Sequence, residues 1–289
     1  MRRKISIILL ISLILSTIFT PIKVEAATPY KLINLWEKKV TVGGVKFSSK
    51  TDADTGKVTI YYKTNNKTRV LASEERLDFN ILTNGRWVYY VVAASESSYN
   101  IFKKDIKTGK KSKVFSEKST EMWVSLCGLY KNKLYYVNGI DPGTLCSYDL
   151  KSGKKKKVMN NVTRAEQFEN VFLCTPYEGD VGPTILRSYD AKHDLRKTIT
   201  NNNMSYQVIS NHLYYVEYVK AYDANLDYMD PVDYICNIVR CDLSGKNKKV
   251  LLKNKRINGS VIKITASYIQ YMYYDIENDI RKVYKLKYK

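Results

Sequence analysis

The chain has 289 residues, a formal net charge of +20 and two histidines. So few histidines, with no HExxH, no Cys/His ladder and no serine-centred elbow, leave most zinc and histidine-based hydrolytic chemistry without its parts. Twenty-five Tyr against seven Phe favour strands whose rings pack while their hydroxyls reach polar surroundings.

Met1-Arg2-Arg3-Lys4 opens the chain, Ile5 to Phe19 is apolar apart from Ser and Thr, and Val24-Glu25-Ala26 ends in a small residue. This is the pattern of a secretory signal peptide with cleavage after Ala26, and an apolar run of 15 residues is short for a spanning helix, which needs roughly 20. Residues 1–26 are therefore expected to be a signal peptide, and 27–289 a single exported domain. Removing Arg2, Arg3, Lys4, Lys23 and Glu25 still leaves a charge of +17, which favours polyanionic neighbours such as wall polymers or anionic headgroups.

From residue 45 onward one unit recurs: an apolar, Tyr-rich strand, a variable loop, a strand ending in Asp, a Gly turn with Lys, and a further strand. Val88-Tyr89-Tyr90-Val91 leads to Ile101–Ile106, Lys107-Thr108-Gly109-Lys110 and Lys113-Val114-Phe115. Leu134-Tyr135-Tyr136-Val137 leads to Leu145–Leu150, Lys151-Ser152-Gly153-Lys154 and Lys157-Val158-Met159. Leu213-Tyr214-Tyr215-Val216 leads to Ile238–Leu243, Ser244-Gly245-Lys246 and Val250-Leu251-Leu252.

Weaker copies start at Val45, Val171 and Ile269, and in the Val171 copy His193-Asp194 replaces the Ser/Thr-Gly turn. The six starts are 43, 46, 37, 42 and 56 residues apart, near the roughly 40 to 50 of a four-stranded propeller blade. The fold expected is all-β, a propeller of six four-stranded blades. Its innermost strands are Asp78–Thr83, Trp123–Gly128, Tyr206–Ser210 and Val261–Ala266. The last copy stops after its third strand, so ring closure is expected to fall to Pro29–Trp36 as the missing outer strand.

Asp105, Asp149, Asp190 and Asp242 are read as turn residues rather than catalytic acids, each opening a three-residue hairpin with a bulge in which Gly supplies positive φ. Five cysteines without a CxxC encode no zinc or redox motif. Cys127 and Cys146 are placed to meet within one sheet, but buried free thiols are the state expected.

Together the Tyr-Tyr-Val strand, the Asp-(Leu/Ile)-Lys-(Ser/Thr)-Gly-Lys turn and the signal peptide resemble the low-density-lipoprotein-receptor-like six-bladed propeller domains of exported clostridial proteins. The resemblance spans residues 29–289 and implies the fold. It implies no activity, and the YWTD signature of the animal receptors is absent.

One local cluster has the chemistry of a metal site. Asp223, Asn225 and Asp227, with Asp230 and Asp233, alternate oxygen ligands as calcium prefers, in the longest loop, Val219 to Tyr234. Tyr228 stands where an EF-hand needs Gly and no Glu closes the loop, so a solvated acidic loop is the competing reading. Asp52-Ala53-Asp54-Thr55-Gly56 is read as a hairpin, and His212 as a turn residue. The function expected is a secreted, non-enzymatic binding or protein-interaction module at the cell envelope. It carries no cofactor beyond such a calcium ion, and its partner is an extracellular protein or an anionic cell-wall polymer rather than a specific nucleic acid. The alternatives are a propeller hydrolase or lyase acting on wall glycans or lactones, and plain electrostatic adhesion to the envelope.

Overall fold

The computed structural model describes residues 29–36, 38–119, 123–140, 142–176, 183–221, 234–257, 261–265, 267–275 and 280–287. It is an all-β propeller, preceded by β1 (Lys31–Asn34). Blade 1 is β2 (Lys39–Val42), β3 (Val45–Thr51), β4 (Val58–Thr64) and β5 (Lys67–Glu74). Blade 2 is β6 (Asn80–Thr83), β7 (Trp87–Ser95), β8 (Ser98–Asp105) and β9 (Lys111–Lys118). Blade 3 is β10 (Val124–Tyr130), β11 (Lys133–Asn138), β12 (Thr144–Asp149) and β13 (Lys155–Asn160). Blade 4 is β14 (Arg164–Phe168), β15 (Val171–Thr175), β16 (Thr184–Asp190) and the first half of β17 (Leu195–Ile209). Blade 5 is the second half of β17, then β18 (His212–Ala221), β19 (Tyr234–Asp242) and β20 (Lys249–Ile257). Blade 6 is β21 (Val261–Ile264), β22 (Tyr268–Asp275) and β23 (Ile280–Lys287).

The Tyr-rich segments are the second strands, and their near-continuous apolar character follows from burial on both faces. Val88, Tyr90 and Val92 of β7 pack toward blade 1, whereas Tyr89 and Val91 pack toward blade 3. Leu134 and Tyr136 of β11 face blade 2, and Tyr135 and Val137 face blade 4. Five such clusters join successive blades from the first to the sixth. Among the described residues no cluster joins blade 6 to blade 1.

The N-terminal strand does not close the ring as the sequence suggested. β1 pairs antiparallel with the inner edge of β6, Lys31 opposite Thr83 and Asn34 opposite Asn80. Its residues explain the choice: Ile33 and Leu35 enter the core between blades 1 and 2, while Leu32 packs on the core between blades 2 and 3. A strand apolar on both faces is better placed in the wedge between two blades than on a solvated rim. A second departure is β17, which runs without a loop from the outer edge of blade 4 to the inner edge of blade 5, pairing β16 through Asp190–Leu195 and β18 through His212–Ile209.

The Asp turns differ in length from the expectation in three of four blades. In blade 5 the Gly245 amide donates to the Asp242 carbonyl at 2.9 Å, closing the three-residue loop expected. In blades 2 and 3 the loop is one residue longer, with Gly109 donating to Asp105 and Gly153 to Asp149 at 2.7 and 2.8 Å. In blade 4 Asp194 takes the glycine place with φ of 55°, a conformation Asp tolerates better than most residues. The turn aspartates are structural: Asp149 Oδ1 accepts the Lys151 and Ser152 amides, both at 2.9 Å. Those bonds, that from Ser152 first, hold its carboxyl below the usual range. Cys127 and Cys146 do not pair; all five cysteines are buried free thiols, and burial pushes Cys146 and Cys241 up to about 11.

One polar tie joins the outer strand of blade 2 to blade 3. Glu117 accepts the Tyr136 hydroxyl at 2.6 Å and meets Lys155 Nζ at 2.8 Å, with its side chain 14% exposed. Glu117→Ala leaves the buried Tyr136 hydroxyl without an acceptor, so a loss of about 1–3 kcal/mol is expected. Denaturant melts of Glu117→Ala beside Glu117→Gln check this, since Gln retains an acceptor oxygen and should recover part of the loss.

Candidate functional site

First strands surround the axis, and all of them start at the same end of the ring, here called the upper end. The upper end carries the blade-to-blade connections and those between second and third strands; the lower end carries the Asp turns. Between β1, β6, β10 and β14 lies a cavity of about 1290 Å³, above the roughly 300–1,000 Å³ of ordinary small-molecule pockets. Its wall mixes rings (Tyr30, Trp123, Phe168) with amides, hydroxyls and charges (Asn80, Ser125, Arg164).

The polar groups gather near the upper end because Asn80, Ser125 and Arg164 lie at the starts of first strands, and Asn34 ends β1, which runs antiparallel to β6. Asn34 Nδ2 donates to Asn80 Oδ1 at 2.9 Å, and Asn80 Nδ2 donates to Ser125 Oγ at 3.0 Å and to Asp78 Oδ1 at 3.1 Å. Ser125 Oγ in turn donates to Asp78 Oδ2 at 2.8 Å, and the Asn80 amide donates to Asp78 Oδ1 at 3.0 Å. Asp78 keeps some accessible surface but is enclosed by protein on most sides. Burial pushes its carboxyl up to about 6, against the hydrogen bonds from Asn80 and Ser125. Among the described residues Asp78 makes no ion pair; its hydrogen-bond partners are neutral dipoles, which is an expensive way to hold a carboxylate.

On the next blade Arg164 Nε donates to Glu166 Oε1 at 3.0 Å. Tyr206 of β17 reaches toward Glu166, and burial first, then the Glu166 charge, raises its hydroxyl. Gln167 is a positioning group: its Oε1 accepts the Leu129 amide at 2.9 Å and its Nε2 donates to the Leu129 carbonyl at 3.1 Å. It thereby splices the first strands of blades 3 and 4. Gly128 makes room for it, since a Cβ there would lie 2.0 Å from Gln167 Oε1.

Asp223, Asn225 and Asp227, the calcium candidates, lie between β18 and β19, outside the described residues, with Asp230 and Asp233. Asp52 behaves as a hairpin residue, accepting the Asp54 and Thr55 amides at 3.2 and 2.9 Å. His212 lies against the turn carbonyl of Ser210, 3.0 Å from Nδ1, and His193 Nδ1 sits 2.7 Å from Asp190 Oδ2 on the surface. Among the described residues no three His, Cys, Asp or Glu side chains converge as a metal site would require. Sequence reasoning missed Asp78, Asn80 and Ser125. All three fall within segments read as innermost strands, Asp78 and Asn80 in one and Ser125 in the next, but isolated polar residues at a strand start carry no motif.

No protein-family model matches the chain, and neither does any curated protein. Solved structures do. A structure from a study of two prolyl endopeptidases is similar at 10% identity and a TM-score of 0.48, over 90% of this chain and 48% of that one. The chain thus spans about half the length of that protein. TolB from Acinetobacter baumannii is similar at 13% identity and a TM-score of 0.45, over 84% of this chain and 64% of that one. The β-propeller domain of the Trilobed protease from Pyrococcus furiosus, described as having an open velcro topology, is similar at 12% identity and a TM-score of 0.42, over 91% and 96%.

Proposed function

We propose that the chain is an exported binding module of the cell envelope, a member of the low-density-lipoprotein-receptor-like propellers it resembles, whose central cavity takes a hydroxyl-rich ligand such as a wall glycan strand. The observation that supports this most is the composition of the cavity wall. Trp123, 40% exposed, offers a ring face at the upper mouth, and Asn80, Ser125 and Asn34 offer amide and hydroxyl groups at hydrogen-bonding spacing beside it. Flat rings interleaved with neutral donors and acceptors suit sugar rings, whose C–H faces stack while their hydroxyls bond. Export rests on Met1–Ala26.

Calorimetric titration of the purified mature protein with wall-derived oligosaccharides tests the reading. Saturable binding that weakens at least about tenfold, roughly 1.4 kcal/mol, in Trp123→Ala is the result expected. Absence of binding to every fragment, or binding indifferent to Trp123, would remove the cavity from consideration.

A second reading, a hydrolase or lyase on the same glycans, is favoured by one observation: burial pushes the Asp78 carboxyl, which lies behind Asn80 and Ser125, up to about 6, the range that suits a general base at neutral pH. Turnover of the oligosaccharides that disappears in Asp78→Asn would promote it.

A further inference from the structure

We propose that the lower end of the ring docks on the surface of an anionic lipid bilayer. The repeated Asp turns place Lys107 and Lys110 in blade 2, Lys151 and Lys154 in blade 3, Lys192 in blade 4 and Lys246 in blade 5 at the same end of successive blades. All six are exposed. None has an ion pair among the described residues.

The acids beside them are already committed. Asp105, Asp149 and Asp190 spend Oδ1 on the amides two and three residues on, and Asp242 spends its own on the Ser244 hydroxyl and the Lys246 amide. Asp194 is held by Lys156 and Arg196. With the four opening aspartates, whose carboxylates keep their charge, the lower connections hold nine Lys or Arg against six acids, Asp105, Asp149, Glu169, Asp190, Asp194 and Asp242. The described upper connections carry the opposite balance, Asp52, Asp54, Glu75, Asp78 and Glu96 against Lys38, Lys57 and Arg76. The two ends of one ring therefore differ in sign.

Geometry chooses the bilayer. Homologous turns on successive blades form an arc in one plane, which a flat array of fixed negative headgroups meets all at once. A thread of polyanion would have to follow the arc. The turn tips carry Lys, Ser, Thr, Gly and, in blade 4, His193 and Asp194, with no apolar ring to insert, so adhesion is electrostatic and falls as salt shortens the screening length. Docked this way, the lower end faces the lipid and the polar mouth of the cavity faces outward.

The test is co-sedimentation of the mature protein with phosphatidylcholine vesicles, with and without phosphatidylglycerol, at low and high salt. Two variants of equal charge change accompany it: Lys107→Glu, Lys110→Glu, Lys151→Glu and Lys154→Glu at the lower end, and Lys50→Glu, Lys57→Glu, Lys253→Glu and Lys255→Glu away from it. Thermal melts confirm that both are folded, and Lys→Gln versions replace either set if it is not. Phosphatidylglycerol-dependent, salt-sensitive binding that drops at least about tenfold in the lower-end variant and less than about threefold in the other is expected. Equal losses in both variants would reduce the effect to net charge and overturn the proposal. So would binding to soluble polyphosphate without any partition to the vesicles.

Discussion

Gly85→Ala is expected to destabilise the propeller by about 3–4 kcal/mol, the sum of a left-handed backbone cost and an overpacking cost. Gly85 has φ of 88°, and a Cβ there would lie 2.7 Å from the Val42 carbonyl oxygen and 2.8 Å from Gly43 Cα. Gly43 meets the same problem from the other side, its Cβ position being 2.7 Å from the Asn84 carbonyl oxygen. Two backbone turns thus touch at the lower end, where the first hairpins of blades 1 and 2 abut, and neither contact is with a side chain that can swing away. Gly44 is the internal control: φ is 75°, but nothing lies within 4 Å of its Cβ position. Gly44→Ala should cost only about 1 kcal/mol. Urea midpoints for both variants separate the two terms. A Gly85 loss no greater than that of Gly44 would show that the blades are not in backbone contact there.

What the sequence made legible is what each blade specifies for itself. Leu134-Tyr135-Tyr136-Val137 reads as a strand buried on both faces because alternate residues serve two neighbouring cores, and so apolar a run in a β protein marks a strand covered on both sides. Asp105 and Gly109 read as a turn because the Asp carboxylate and the glycine φ act within five residues. The rest depends on partners far along the chain. Asp78 and Ser125 are 47 residues apart and come from different blades, so nothing local marks them as a pair. The Gly43–Gly85 approach is equally invisible, since a glycine needed for close approach looks like any turn glycine. β1 was misplaced for the same reason: Tyr30, Leu32, Ile33 and Leu35 announce a strand apolar on both faces, but which wedge accepts it is decided by β6 and its neighbours. The extra residue in three of the four Asp turns lay in plain view, since Asp105 to Gly109 is one residue longer than Asp242 to Gly245.

Asp78→Asn is expected to stabilise the protein at pH 8 and to leave it nearly unchanged at pH 4. The carboxyl is raised from its ordinary value to about 6, so the folded state holds the proton more tightly than the unfolded chain does. For an acid shifted this way, the favourable contribution is complete below about pH 4 and declines as pH rises toward 6, after which the deficit is constant. A rise of roughly two units corresponds to about 3 kcal/mol, and relaxation around the residual accessible surface reduces this to about 2 kcal/mol. Asparagine preserves the shape of the network: its Oδ1 accepts from Asn80 as before, and its Nδ2 donates to Ser125 Oγ, whose own proton is free to turn elsewhere. Denaturant midpoints of both proteins at pH 4 and pH 8 measure the difference directly. If the variant is the less stable one at pH 8, the three donors supplied by Asn80 and Ser125 outweigh burial, and Asp78 is a structural anchor of the inner strands. If it is the more stable one, the chain carries a carboxylate behind the Asn80 and Ser125 side chains of its cavity wall at a cost to folding, which is the signature of a group kept for what it does to a ligand. The glycan titration repeated across pH 5 to 7 then links the two, because a ligand that meets ionised Asp78 must change affinity as that group titrates.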